Sequence, residues 1–311
     1  MRYLLLSSLV FFLLLACGQS KQDVIYYDFD DQWDYYDPVK TEQHFRILLE
    51  SSEQASDPDY RAQLLTQIAR AQGLQGNFTA ARASLEQAET LIADNRSTAR
   101  IRYWLESGRL LSSSGDPEQS HDFFRQAYQL SARLGNDYYA IDAAHMLGIV
   151  SPAEEQLTWG LTALRTAESS EDQRARLWLG ALYNNIGWTY HDAGEFQEAL
   201  ELFQKALNWR IERQDAYSIR IAKWSVARAY RSLGEMEKAL TLQLELEQEI
   251  QSQQLPEDGY VAEELGEIYL AINDIDRAKL YFRKAYELQS QDAWIRENEP
   301  LRLERLQQLS D

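Results

Sequence analysis

The sequence predicts an all-α chain, a solenoid of about six antiparallel helix pairs with capping helices at both ends, and three observations predict it. A small residue recurs on a step of 39 or 40: Ala69, Gly108, Gly148, Gly187, Ala227 and Gly266. Two further slots repeat in phase, Ala81, Ser120, Gly160, Ala199, Ala239, Ala278 and Ala88, Ala127, Ala167, Ala206, Leu246, Ala285. Seventeen of these eighteen positions are Ala, Gly or Ser in a chain whose other core positions are large. Small side chains recur this way where helix backbones approach closely in stacked copies of one unit, and a period of about 20–50 residues marks such an array. Finally, no run of period-2 alternation occurs, which argues against a sheet.

Residues 1–16 read as a leader. Arg2 is positive and Leu4 to Ala16 is an unbroken run of apolar residues and Ser. Such a run spans roughly 20 Å as a helix, short of a bilayer core of about 30 Å. Leu14-Leu15-Ala16-Cys17-Gly18 then resembles a bacterial lipoprotein signal. That resemblance implies a lipid on Cys17, which becomes the new N-terminus, with Gly18 in place of Asp favouring the outer membrane. An ordinary secretory signal cut near the same place is the alternative. Cys17 is the one cysteine of 311 residues, which excludes an internal disulfide and thiol-based metal or redox chemistry.

Residues 17–36 carry acids and aromatics without helical or strand period, and read as a tether. Some of Tyr26, Tyr27, Phe29, Trp33, Tyr35 and Tyr36 are expected to tuck onto the first helix. Asp37-Pro38 is an N-cap followed by Pro at the first helical position and opens a capping helix over 37–58. Its Thr41, Phe45 and Leu48 stand one period before Ala81, Leu85 and Ala88, as in an unpaired second helix.

Six repeats follow over 59–290. Gly76, Gly115, Gly194, Gly234 and Asn273 sit seven residues after the first small slot, where each ends one helix in a left-handed conformation. Asp116-Pro117, Glu195 and Glu235 then open the next helix, with acids favoured by the helix dipole. The third repeat departs. Ser151-Pro152 should end its first helix near Val150, because proline disfavours helical geometry in the residue before it, leaving a kink or wider gap in mid-array. After Ala285 the period stops, and residues 291–311 form a terminal cap with Pro300 starting its last helix and Arg302, Glu304, Arg305 and Gln308 on its polar side.

The repeat is similar to the tetratricopeptide pattern W-x2-L-G-x2-Y followed by A-x3-F and a later Ala. Residues 180–207 supply Tyr183, Ile186, Gly187, Tyr190, Gly194, Phe196, Ala199, Phe203 and Ala206 at those spacings. Residues 101–128 supply Trp104, Gly108, Leu111, Gly115, Ser120, Phe124 and Ala127, and residues 259–286 supply Leu265, Gly266, Tyr269, Ala278, Phe282 and Ala285. The steps exceed the usual 34 by five or six residues, which resembles the extended repeats of kinesin-light-chain-type proteins. The resemblance implies a right-handed superhelix whose concave wall is lined by the first helix of each repeat.

Side chains at −6, −3, +1 and +4 from the first small slot share one helix face and should line that wall. They are Arg70, Arg102, Arg109, Asp142, His145, Asn184, Trp188, His191, Ile221, Trp224, Arg228, Arg231, Tyr260, Glu263 and Glu267. Trp and Arg are enriched at binding hot spots. Alternatively, the arginines are neutralised within the chain, or the convex face or tether binds. A pair of Lys and Asn gripping a peptide C-terminus is not evident.

Lys+Arg 31 against Asp+Glu 49 gives a net charge of −18, or −19 once the leader carrying Arg2 is removed. That is the wrong sign for nucleic acid, which demands a basic stripe. The four histidines lack zinc spacing, neighbouring carboxylates do not face each other on a helix, and no nucleophile elbow or phosphate loop appears. The expectation is a lipid-anchored, non-enzymatic scaffold of the bacterial envelope, without cofactor or metal, facing the periplasm and binding another envelope protein or peptide. A peptide-sensing receptor, or an envelope enzyme using the array as a support, are the rival readings.

Overall fold

A computed structural model describes residues 28–52 and 57–311. The expected leader, Cys17 and residues 18–27 lie outside the described residues. A 3-10 turn (Asp28–Gln32) precedes α1 (Pro38–Ser52). Helix pairs follow: α2 (Pro58–Leu74) with α3 (Phe78–Leu91), α4 (Thr98–Ser113) with α5 (Pro117–Leu134), and α6 (Asp137–Val150) with α7 (Ala153–Ser169). A one-turn insert, α8 (Gln173–Arg176), separates these from α9 (Leu179–Asp192) with α10 (Phe196–Glu212). Then come α11 (Ala216–Ser232) with α12 (Met236–Ser252), α13 (Gly259–Ala271) with α14 (Ile275–Gln289), and finally α15 (Ala293–Asn298) and α16 (Pro300–Ser310). Each pair packs on itself and on the next, and no strand occurs among the described residues: this is an all-α helical repeat solenoid.

The recurring small slot has a direct cause. A Cβ on Gly108, Gly187 or Gly266 would come within 2.6–2.8 Å of the ring of Phe124, Phe203 or Phe282, the second-helix residue sixteen positions on. Where that partner is smaller, Leu85 or Gln243, the slot holds Ala69 or Ala227. Glycine therefore makes room for phenylalanine in three pairs, whereas Gly148, sixteen before Leu164, instead faces the α7 backbone, where a Cβ would stand 3.4 Å from the Gln156 carbonyl.

Helix ends follow local chemistry. Asp57, Asn77, Ser97, Asp116, Asn136, Asp215, Asp258, Asp274 and Asp292 each accept a backbone N–H of the first turn. Glu195 and Glu235 open α10 and α12 without such a bond, through the favourable position of their charge alone. Gly76, Gly115, Gly194, Gly234 and Asn273 all have positive φ, as the turns require.

α6 ends at Val150, after which Ser151 is extended and α7 starts at Ala153. A cavity of about 270 Å³ opens beside this break, between α6, α7 and α9. Helix α1 buries Thr41 and Phe45 and packs on α2, whereas α16 packs on α14 and buries Leu306 beside Phe282.

The expected tether is corrected over its described part. Residues 28–36 do not hang free. Phe29 is 1% exposed and meets Phe45 and Tyr60 edge-on, and Trp33 packs on Phe45. Part of this is the expected tuck onto α1. The rest runs across α2, α4 and α6 as a strap.

Candidate functional site

The first helices place the predicted groove residues along one wall, in two charged clusters joined by an aromatic stretch. At the N-terminal end, Arg102 on α4 is 3% exposed and pairs with Asp30 of the strap. Arg174, on the α8 insert, reaches the same carboxylate at 3.0 Å. Burial opposes the Arg102 charge, but Tyr139 and Asp30 outweigh it and hold the proton more firmly than usual. Arg70 lies over the rings of Trp33 and Tyr35 at 5.7 and 5.3 Å and stands 3.4 Å from Glu106. Arg109 bridges Glu106, at 2.7 Å, and Asp142. For Asp142, burial raises the pKa, yet the charges of Arg109 and Arg70 and the hydrogen bond from Arg109 prevail and bring it below the ordinary carboxylate value. With the strap in place, only about 40 Å³ of open space remains there.

In mid-array, His145 lies against Trp178, 5.4 Å between ring centroids, and burial lowers its pKa, with Asp142 opposing and Arg109 assisting. Asn184 donates to Asn185. Trp188 is no free anchor. It is half-buried against Phe203 and His191, both at 5.0 Å, and leans on Trp224 at 5.8 Å. His191 is buried and bonded to Ser232 at 2.9 Å; burial and then Arg228 lower its pKa. The two tryptophans meet because the −3 position of one repeat faces the +1 position of the repeat before it.

At the C-terminal end, Arg231 grips Glu264 at 2.5 and 3.1 Å, and Glu267 lies 3.9 Å away. Arg302 of α16 pairs with Glu263 at 2.5 Å and lies 4.7 Å over the Tyr260 ring, while Arg305 pairs with Glu267 at 2.5 Å. Arg228 is less well served: among the described residues its guanidinium makes no hydrogen bond, and its paired carboxylate, Glu264, stands 3.8 Å away. Trp224 donates to the Tyr260 carbonyl at 3.1 Å. This cluster encloses a cavity of about 360 Å³, and an apolar one of about 320 Å³ adjoins it behind Trp224 and Tyr260, floored by Leu246, Ile250 and Val261.

The arginines spend much of their charge within the chain. Asp30, Glu106, Arg174 and Glu264 were missed, whereas Arg302 and Arg305, expected on the polar side of the terminal cap, pair with Glu263 and Glu267 of this wall. Two of these were legible: Glu106 and Glu264 both stand two residues before the small slot and 36 residues after Arg70 and Arg228. Asp30 and Arg174 were not, because 144 residues separate them. Among the described residues, no group of three His, Cys, Asp or Glu side chains is placed to hold a metal ion, and no helix is long and apolar enough to cross a membrane.

The stacked helix pairs and their lined wall define a class, the helical-repeat scaffold. Tetratricopeptide-repeat profiles match residues 179–211 and 262–292, and together with the fold they place the chain in the tetratricopeptide-repeat superfamily. No curated protein matches the sequence. Similar solved structures include a signal-transduction ATPase with a tetratricopeptide repeat sensor from Pyrococcus horikoshii, at a TM-score of 0.67 and 15% identity, covering 91% of this chain and 42% of that one. A tetratricopeptide repeat protein from Parabacteroides merdae aligns at 0.50 and 20% identity, over 94% and 99% of the two chains. A kinesin light chain repeat protein from Podosopora anserina aligns at 0.51 and 18%, over 65% and 100%. These likenesses concern the fold. Repeat proteins of this superfamily are in general non-enzymatic scaffolds that bind protein partners.

Proposed function

We propose that this chain is a non-enzymatic scaffold of the bacterial cell envelope, lipid-anchored through Cys17, holding a partner protein or peptide in its concave groove. One observation carries the reading. The C-terminal half of the wall presents Trp224, Tyr260 and Arg228 around open cavities of about 360 and 320 Å³, larger than the space of about 220 Å³ beside Arg70 and Arg109, the 270 Å³ beside His145 and Trp188, or the 40 Å³ left under the strap. Aromatic and guanidinium groups around a concave space are the usual anchors of a protein interface. The anchor rests on the short apolar core before Leu14–Cys17, and Gly18 supports outer-membrane placement facing the periplasm. No cofactor or catalytic step is assigned.

Photocrosslinkers at Trp224 and Tyr260 in living cells should capture an envelope protein that a crosslinker at the outer position Gln197 does not. Equal capture from both faces would refute the groove. For the anchor, Cys17→Ser should abolish fatty-acid labelling and release the protein from the membrane fraction, and unchanged labelling would remove that part of the reading.

A further inference from the structure

Among the eighteen recurring small slots, Leu246 is the one that holds a large side chain. The equivalent positions of the other repeats are fully buried alanines, Ala88, Ala127, Ala167, Ala206 and Ala285. Leu246 is fully buried too, and clusters with Ile250, Val261 and Leu265 where α12 of the fifth repeat meets α13 of the sixth. Helix separation is set by the side chains at the contact, so a leucine there holds two helices further apart than an alanine does. The apolar cavity of about 320 Å³ opens at this crossing, with Leu246, Ile250 and Val261 as its floor and Trp224 along its side. Ile221 and Tyr260, each 40% exposed, stand at its mouth.

Size and charge narrow what could fill it. An apolar cavity of about 150 Å³ takes benzene, so one of about 320 Å³ takes about a dozen non-hydrogen atoms, within the range of small-molecule sites. The lining includes one anion and one cation, and they differ in what they already hold. Asp258 accepts the backbone N–H groups of Tyr260 and Val261 at the start of α13, at 2.8 and 3.4 Å. Arg220 lies 5.9 Å from the centre of the Tyr217 ring, and among the described residues its guanidinium makes no hydrogen bond. Its paired carboxylate, Glu249, stands 3.7 Å away and takes Lys223 at 2.7 Å instead. The planar fork of an arginine matches the two oxygens of a carboxylate.

We propose that this inter-repeat cavity is a small-molecule site for a compact apolar carboxylate, an aromatic or short acyl acid of about a dozen non-hydrogen atoms. Its hydrocarbon part lies over Leu246, Ile250 and Val261, and its carboxylate meets Arg220. Burial of the hydrocarbon supplies the affinity, and the guanidinium fixes orientation and selects charge. The site goes beyond the groove reading and does not depend on it, since no protein partner is needed to form it.

The probe is 1-naphthoate, titrated calorimetrically into the full chain, with 1-naphthylmethylammonium as a control of the same ring and opposite charge. One naphthoate per chain should bind saturably, and the cation at least tenfold more weakly. Ile221→Trp, which sets an indole in the mouth, should abolish binding. Arg220→Met, which keeps the apolar stem and removes the donors, should weaken it at least tenfold. Circular dichroism checks that both variants keep wild-type helicity, and Ile221→Phe and Arg220→Gln stand in for either that does not. Absence of saturable naphthoate binding, or binding that survives the blocked mouth, would overturn the site. Equal binding of the cation, or unchanged affinity without the guanidinium, would overturn the carboxylate chemistry. Capture of a protein partner from Trp224 is read separately, so failure here leaves the groove reading to its own test.

Discussion

Gly187 shows how one atom sets the repeat. Its missing Cβ would lie 2.6 Å from the Phe203 ring, which is fully buried and has nowhere to move. Gly187→Leu would gain about 0.8 kcal/mol of helix propensity but overpack this crossing, and overpacking typically costs about 1–3 kcal/mol. The net effect should be a loss of about 1–2 kcal/mol, while the same change at exposed Gln197 should stay within about 0.5 kcal/mol. Urea melts with equal midpoints for the two variants would contradict this packing. Gln243 makes the opposite case. It occupies the phenylalanine position of the fifth repeat, is fully buried, and neither its Oε1 nor its Nε2 has a partner. An unsatisfied buried amide costs about 1–3 kcal/mol, and Leu85 already fills the equivalent place opposite an alanine slot. Gln243→Leu should therefore raise stability by about 1–2 kcal/mol, and a lowered urea midpoint would show that the amide finds a partner in solution.

Among the elements, the strap does most with least. Nine residues without regular period carry Phe29 and Trp33 into the first helices and bring Asp30 to two arginines drawn from α4 and α8. Removing one partner of a buried ion pair leaves the other charge desolvated, and costs about 3–5 kcal/mol. Asp30→Asn keeps the shape but not the charge, so it should cost about 3 kcal/mol at neutral pH. Arg102 is the residue stranded, because burial at 3% exposure denies it water. If thermal unfolding of Asp30→Asn matched wild type, the strap would be a covering and not a brace. The break at Ser151-Pro152 is an element-scale feature that proline's sterics made legible. The insert α8 that returns Arg174 to the strap was not legible, since a single helical turn has no period to detect.

At the scale of the molecule, repeats touch only their neighbours, so stability is close to a sum of local terms. Leu306 closes the C-terminal end over Phe282 and Ala285 and is fully buried. Leu306→Ala should cost about 2–5 kcal/mol, spent mainly at that end. Hydrogen exchange should quicken in α13 to α16 and remain unchanged in α2 to α6. The strap ties the second repeat to the insert after the third through Asp30, which makes the N-terminal three repeats one block. Uniform acceleration along the whole chain would show a single cooperative unit instead.

The helical-repeat class, the phase of the six pairs, the turn glycines and the end of α6 at Val150 were all present in the sequence. Each is dictated by short-range chemistry: a ring against a small residue, a left-handed turn, a proline. The row of wall residues was present too, because a helix face is periodic. What only the tertiary structure decided is how those residues are used. Arg102 and Arg174 share the carboxylate of Asp30 from 72 and 144 residues away, and Trp188 is drawn half into the core by Phe203. Charge pairing and burial depend on which side chains the superhelix brings across the groove. No local pattern encodes that distance, and it alone decides that the strap fills the wall around Arg102 while the wall around Trp224 stays open.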